Sequence, residues 1–218
     1  MITYRGRMTF SAFWSVMAIL ILLMLNLSNC SKPEEETTQD GVILPLSEGY
    51  TWKYTQDVVP ENTFFSDIDT VIMEVVRADT MDGFVGYFVR NLIIEPIRFD
   101  DGSTMRLSNR DDGLYTATKY MFTEPSPPAI VERALPYPTV VGESIEYSGF
   151  NIVTKSISHP VTVPAGNFDC LWFEVYSDSS LLAEIWAQAD IGIIRSWMQF
   201  GSIKIHHELT QYELAEPS

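Results

Sequence analysis

Positive charge, histidine and cysteine are all scarce in this chain. Its 218 residues hold 14 lysines and arginines against 29 aspartates and glutamates, with three histidines and two cysteines. The formal net charge of −15 argues against a nucleic-acid partner, whose phosphates demand a basic face. It also argues against a domain lying flat on anionic lipid. Helical periodicity is missing as well. Beyond the N-terminal apolar run, no stretch shows apolar residues recurring about every 3.6 positions, apart from a candidate turn at residues 179–184.

Catalytic signatures are equally thin. No Gly-x-Ser-x-Gly nucleophile elbow occurs. His206 and His207 are adjacent, and adjacent side chains on a strand point to opposite faces. The pair therefore cannot chelate one ion, and zinc needs three or four ligands at set spacing. No metal and no cofactor is expected. The pairs Asp100-Asp101 and Asp111-Asp112 lack the alternating oxygen ligands and closing glutamate of a calcium loop, and read as solvated turns. His159 stands before Pro160 in an expected turn, a poor mount for a general base. Glu146, Glu174 and Glu184 fall on expected strands, where two of them could form a glycosidase-like carboxylate pair.

What the chain does have begins at its N-terminus. Arg5 and Arg7 precede an apolar run at residues 13–25 broken only by Ser15, followed by Leu27-Ser28-Asn29-Cys30. This is the layout of a secretory signal peptide, and ending at a cysteine it resembles the lipobox of bacterial lipoproteins, with Asn29 where Gly or Ala is usual. The resemblance implies acylation of Cys30, removal of residues 1–29 and a membrane partner reached through the acyl chains. The alternative is an uncleaved anchor over residues 8–27, near the ~20 residues that span a bilayer. Either way the folded part lies outside the cytoplasm. The next residues, Ser31, Lys32, Glu34, Glu35 and Glu36, resemble a lipoprotein export signal of certain Gram-negative bacteria. That implies the outer face of the outer membrane. The plain reading, a solvated spacer, is compatible with that address; a periplasm-facing domain is the alternative.

Removal of residues 1–29 leaves 189 residues with twelve basic side chains against 29 acidic ones, a net charge near −17. These divide into a flexible acidic linker at 30–42, a single β-domain at 43–214 and a tail at 215–218. With Cys30 given to lipid, Cys170 has no disulfide partner. It sits in the apolar run 168–175, which reads as a buried strand carrying an inert thiol.

Strands are expected at residues 50–58, 68–76, 86–94, 104–108, 114–122, 150–158, 161–163, 168–176, 183–188, 193–199 and 203–214. Within the first, Trp52, Tyr54 and Val58 share one side and Lys53, Thr55 and Asp57 the other. Asp82-Gly83, Asp101-Gly102 and Asp112-Gly113 are hairpin signals. Pro164-Ala165-Gly166-Asn167 and Asp190-Ile191-Gly192 are further turns. Pro125, Pro127, Pro128, Pro136 and Pro138 predict extended or loop structure. The expectation is an all-β, mainly antiparallel fold: a curved sheet or half-barrel of roughly ten strands, with a β-sandwich as the alternative and little helix outside the signal peptide. A Leu-Pro, then Gly, then aromatic order recurs loosely at 43–54 and 134–147, as two halves of one sheet would show.

The opening Leu44-Pro45-Leu46…Gly49…Trp52-Lys53-Tyr54 and the centre Val161-Thr162-Val163-Pro164-Ala165-Gly166-Asn167-Phe168-Asp169-Cys170 resemble uncharacterised bacterial lipoproteins related to the domain of unknown function 3108. The segment from Trp186 to Arg195 and the closing Glu208-Leu209-Thr210-Gln211-Tyr212 fit as well. The resemblance implies a curved, mainly antiparallel sheet and no activity. Trp172, Trp186 and Trp197 lie on expected strands, where large rings fill space; lining a ligand site is their functional alternative. The expected function is a lipid-anchored, non-enzymatic binding or accessory module whose apolar concave sheet face holds an apolar ligand or an envelope protein. An envelope glycan or lipid hydrolase using strand carboxylates and a purely structural envelope component are the alternatives.

Overall fold

A computed structural model describes residues 41–60, 67–93, 104–119 and 127–214, all within the unit Thr37–Ser218. Cys30, Ser31, Lys32, Glu34, Glu35, Glu36, Asp100, Asp101 and the tail at 215–218 lie outside the described residues. Within them there is no helix. The strands are β1 (Thr51–Pro60), β2 (Asp67–Met81), β3 (Phe84–Arg90), β4 (Thr104–Arg110), β5 (Gly113–Lys119), β6 (Ile130–Pro136), β7 (Ser144–Tyr147), β8 (Phe150–Val163), β9 (Gly166–Ser177), β10 (Ser180–Gln188), β11 (Gly192–Phe200) and β12 (Ile203–Glu213).

They form one antiparallel sheet in the order β6-β5-β4-β3-β2-β1-β12-β11-β10-β9-β8-β7. Each strand follows its sequence neighbour, and β1 pairs with β12, so the first and last strands join. The result is a nearly closed, barrel-like sheet. Only the junction of β6 with β7 lacks a ladder among the described residues, and side chains bridge that seam. Glu132 accepts from the Ser148 N–H at 3.1 Å and hydroxyl at 2.8 Å, and Arg133 donates to Glu143 at 3.1 Å.

Alternation sorts the side chains. Trp52, Tyr54, Met73, Val75, Phe173 and Leu209 are fully enclosed inside the sheet. Lys53, on the opposite side of β1, is exposed. Tyr54 carries its hydroxyl into this core and donates to the Ile193 carbonyl at 2.9 Å, as a buried phenol must. Tyr54→Phe should therefore cost about 1–2 kcal/mol, since a buried carbonyl loses its donor. Urea unfolding with an unchanged slope would show it.

The loose sequence echo is a structural repeat. Before β1, Tyr50 N–H bonds Ser47 O at 3.1 Å, while Gly49 N–H and Tyr50 O bond Val75 of β2, both at 2.9 Å. Before β7, Glu143 N–H bonds Val140 O at 3.0 Å, while Gly142 N–H and Glu143 O bond Thr154 of β8 at 2.8 and 2.9 Å. Gly49 and Gly142 have φ of 85° and 88°. A bulge follows in each second strand, between Val75 and Arg77 and between Thr154 and Ser156. Leu44 docks on the other half, filling the space over Gly192, whereas Leu135 lies over Gly113 within its own half, where a Cβ would come within 2.2 Å of the Leu135 carbonyl oxygen. The domain is thus two six-stranded meanders, β1–β6 and β7–β12. One joint between them is the β1–β12 ladder and the other is the side-chain seam.

Three local expectations change. The proline-rich stretch contains strand β6, because an edge strand tolerates a proline at its end, here Pro136. Residues 150–158 and 161–163 are one strand, so His159-Pro160 is not a turn. Beyond Val153, β8 has lost its β7 partner, so Pro160 removes no ladder bond there. The candidate turn at 179–184 belongs mostly to strand β10, which starts at Ser180.

Candidate functional site: a tryptophan groove on the outer face

Register assembles a continuous patch on the face of the sheet opposite the core. One cross-strand row runs Trp172–Trp186–Arg195–Glu208–Thr55. The row beside it runs Glu174–Glu184–Trp197–His206–Asp57–Ile68. Thr55, Asp57, Ile68, Trp186, Arg195, Trp197, His206 and Glu208, with His207, enclose a groove of ≈ 620 Å³. That is a usual size for a small-molecule site.

The three tryptophans marked by the sequence all lie on this face, and Trp186 and Trp197 line the groove. Trp172 stacks on Trp186 with ring centroids 6.1 Å apart and planes 13° from parallel. Trp197 donates its indole N–H to Glu184 and has Lys204 Nζ 5.7 Å from its ring centroid. The Arg195 guanidinium lies 5.9 Å from the Trp186 centroid and is fixed by Glu208 at 2.9 Å and by the Thr162 carbonyl at 2.9 Å. Four polar atoms here are buried with no protein partner among the described residues: Asp57 Oδ1, Trp172 Nε1, Trp186 Nε1 and Arg195 Nε. Buried polar groups of this kind are almost always satisfied, by protein or by ordered water.

Two of the candidate carboxylates come together and the third stands apart. Glu174 and Glu184 face each other across β9 and β10, while Glu146 lies on β7, opposite Asn151. Glu174 is held by Lys155 at 3.1 Å and by the Tyr176 hydroxyl, and Glu184 by Trp197. Both are engaged in fixing the patch.

The histidines separate too. His206 is exposed beside Trp197, 6.5 Å between centroids. His207 points into the core, where Nδ1 meets Ser196 Oγ at 3.2 Å and Nε2 meets Gln56 Oε1 at 3.2 Å. A serine and a histidine in contact suggest a nucleophile. However, Ser196 is fully buried, the third member is a neutral amide, and burial lowers the imidazole pKa to about 4, with His206 adding to the shift. This chain is core architecture. His159 packs on Trp172 at 5.1 Å. No cluster of metal-ligating side chains occurs among the described residues. Asp111 and Asp112 occupy the turn before β5, with Asp112 accepting from Tyr115 at 2.9 Å. Cys170 is fully buried, and burial pushes its thiol up to about 12, far from the thiolate that reactivity requires.

Sequence reasoning missed Asp57, Ile68, Arg195 and Glu208. Each is an ordinary polar or apolar residue on an alternating strand, and only register across five strands brings them together. Searches against protein-family models, curated proteins and solved structures return no match for this chain.

Proposed function

We propose that this protein is a lipoprotein of the cell envelope, held in the outer membrane through acylated Cys30, and that its β-domain is a non-enzymatic binding module. The anchor reading rests on the layout of residues 5–30. The binding reading rests on one observation: Asp57, Trp186, Arg195, Trp197, His206 and Glu208 line one groove of ≈ 620 Å³ on the outer face of the sheet. Hydrolysis is the second reading, supported by Glu174 facing Glu184; it ranks lower because both carboxylates are tied to Trp197, Tyr176 and Lys155.

Intact and native mass spectrometry of the full chain, extracted in detergent from its own envelope, tests both parts. The expected result is a mature chain starting at a triacylated Cys30, carrying a discrete ligand mass that Trp186→Ala removes. A chain retaining residues 1–29 overturns the anchor. A mature chain with no bound mass overturns tight binding.

A further inference from the structure

The chain enters the β-domain through a segment, residues 42–46, that is buried but not laddered. Ile43 is 1 % exposed and Leu44 is fully enclosed. Among the described residues the segment nevertheless makes one backbone–backbone hydrogen bond, from the Asp190 N–H to the Val42 carbonyl at 2.7 Å. Two side chains hold the rest. The Asp190 carboxylate accepts from the Val42 N–H at 3.0 Å, and the Asn109 amide donates to the Leu44 carbonyl at 2.8 Å. The segment therefore reaches both meanders, at the end of β4 and at the turn between β10 and β11.

Asp190 is the grip. Its backbone stands at φ 62°, a left-handed conformation that aspartate tolerates better than most residues. In that conformation its N–H and its carboxylate both reach Val42. Gly41 passes so close that a Cβ would come within 2.8 Å of the same carboxylate. Gly192, two residues on, is the seat: Leu44 and the Trp52 indole fill the space that a Cβ there would take.

A strand leaves the sheet only by breaking a ladder. This segment leaves by breaking three hydrogen bonds and uncovering two side chains, and elements with so few backbone bonds open locally. We propose that residues 42–46 are a detachable strap, latched by Asp190, which lets go while the twelve-stranded sheet stays folded. The next hold on the chain is the turn from Ser47 to Tyr50, bonded to Val75 of β2, and peeling stops there. The use of the strap rests on the anchor reading above. A pull transmitted from Cys30 enters the β-domain at residue 41 and meets the latch before any strand. Release adds residues 42–46 to the tether, up to about 17 Å of reach.

Residue-resolved hydrogen exchange on the full chain in detergent micelles tests this. The reporters are the amides of Val42 and residue 190, compared with those of β1, which is laddered on both sides. The latch amides should exchange at least roughly tenfold faster than those of β1, and with little dependence on urea, the mark of a local opening. Asp190→Gly keeps the positive φ and removes the carboxylate. It should speed exchange at residue 190 roughly ten- to hundredfold, as loss of a hydrogen bond to a charged group would, with β1 unchanged. Asp190→Asn keeps an acceptor oxygen and should stay near wild type. Latch and β1 amides exchanging together in the wild type overturn the strap. Equal acceleration of both in Asp190→Gly also overturns it, since that is general destabilisation, and so does no acceleration at all. The anchor reading fails separately, on the mass of the N-terminus.

Discussion

Trp52→Ala should be the most damaging single substitution in the β-domain, costing about 4 kcal/mol from the lost burial and the cavity left behind. Trp52 is fully enclosed on β1, the strand that ladders to both β2 and β12 and so joins the two meanders. Its indole N–H donates to the Ile191 carbonyl at 2.6 Å, and its ring meets Tyr50 edge-on at 6.4 Å. It also lies against Gly192, where an added Cβ would come within 3.1 Å of the indole nitrogen. Truncation therefore removes the ring, leaves the Ile191 carbonyl without its donor and opens a void at the working joint between halves. Against a total of about 5–15 kcal/mol for a folded domain, the variant will be marginal. Trp52→Phe provides the graded control. It keeps most of the volume and loses the hydrogen bond, so its urea midpoint should fall between alanine and wild type. Equal midpoints for Trp52→Phe and wild type would remove the hydrogen bond from this account.

Stability should also fall in mild acid because of His207. In the unfolded chain its imidazole titrates near the ordinary 6.5, whereas in the folded chain burial, then His206, lowers it to about 4. Between those values the unfolded state binds a proton that the folded state does not. Unfolding free energy therefore rises with pH in this window. The contribution is fully present above pH 6.5, is lost as pH falls toward about 4 and levels off below. A gap of this size corresponds to about 3 kcal/mol. Carboxylates titrate in the lower part of the same range, so the informative quantity is the difference between wild type and His207→Gln, each followed by urea unfolding from pH 7 to pH 4. The wild-type slope should be steeper. Parallel pH profiles would show that the folded state accommodates the imidazolium.

Much of the sheet was legible because alternation and turn chemistry are local. Trp52 and Tyr54 on one side of β1 against Lys53 on the other, and the Asp82-Gly83 turn with φ of 49° and 86°, follow from a period of two and from residues that accept positive φ. The opposed faces of His206 and His207 follow the same way. Strand β6 was hidden by Pro136 and by the prolines on either side of it. Those residues disfavour a central strand but not the last position of an edge, and whether a strand is an edge is not a local property. Strand β7 has only four residues, too short for a periodic signal.

The sequence by itself determined that this chain forms antiparallel strands, which side chains on each strand share a face, and that three tryptophans fall on strands. The tertiary structure decided which strands are neighbours. Pairing of β1 with β12 places Gln56 against His207 across 151 positions of sequence, and the same ladder carries Thr55 and Asp57 to Glu208 and His206. Periodicity sets the facing of a side chain within its own strand. Long-range register, set by closure of the two meanders into one core, decides what it faces, and the groove exists only at that level.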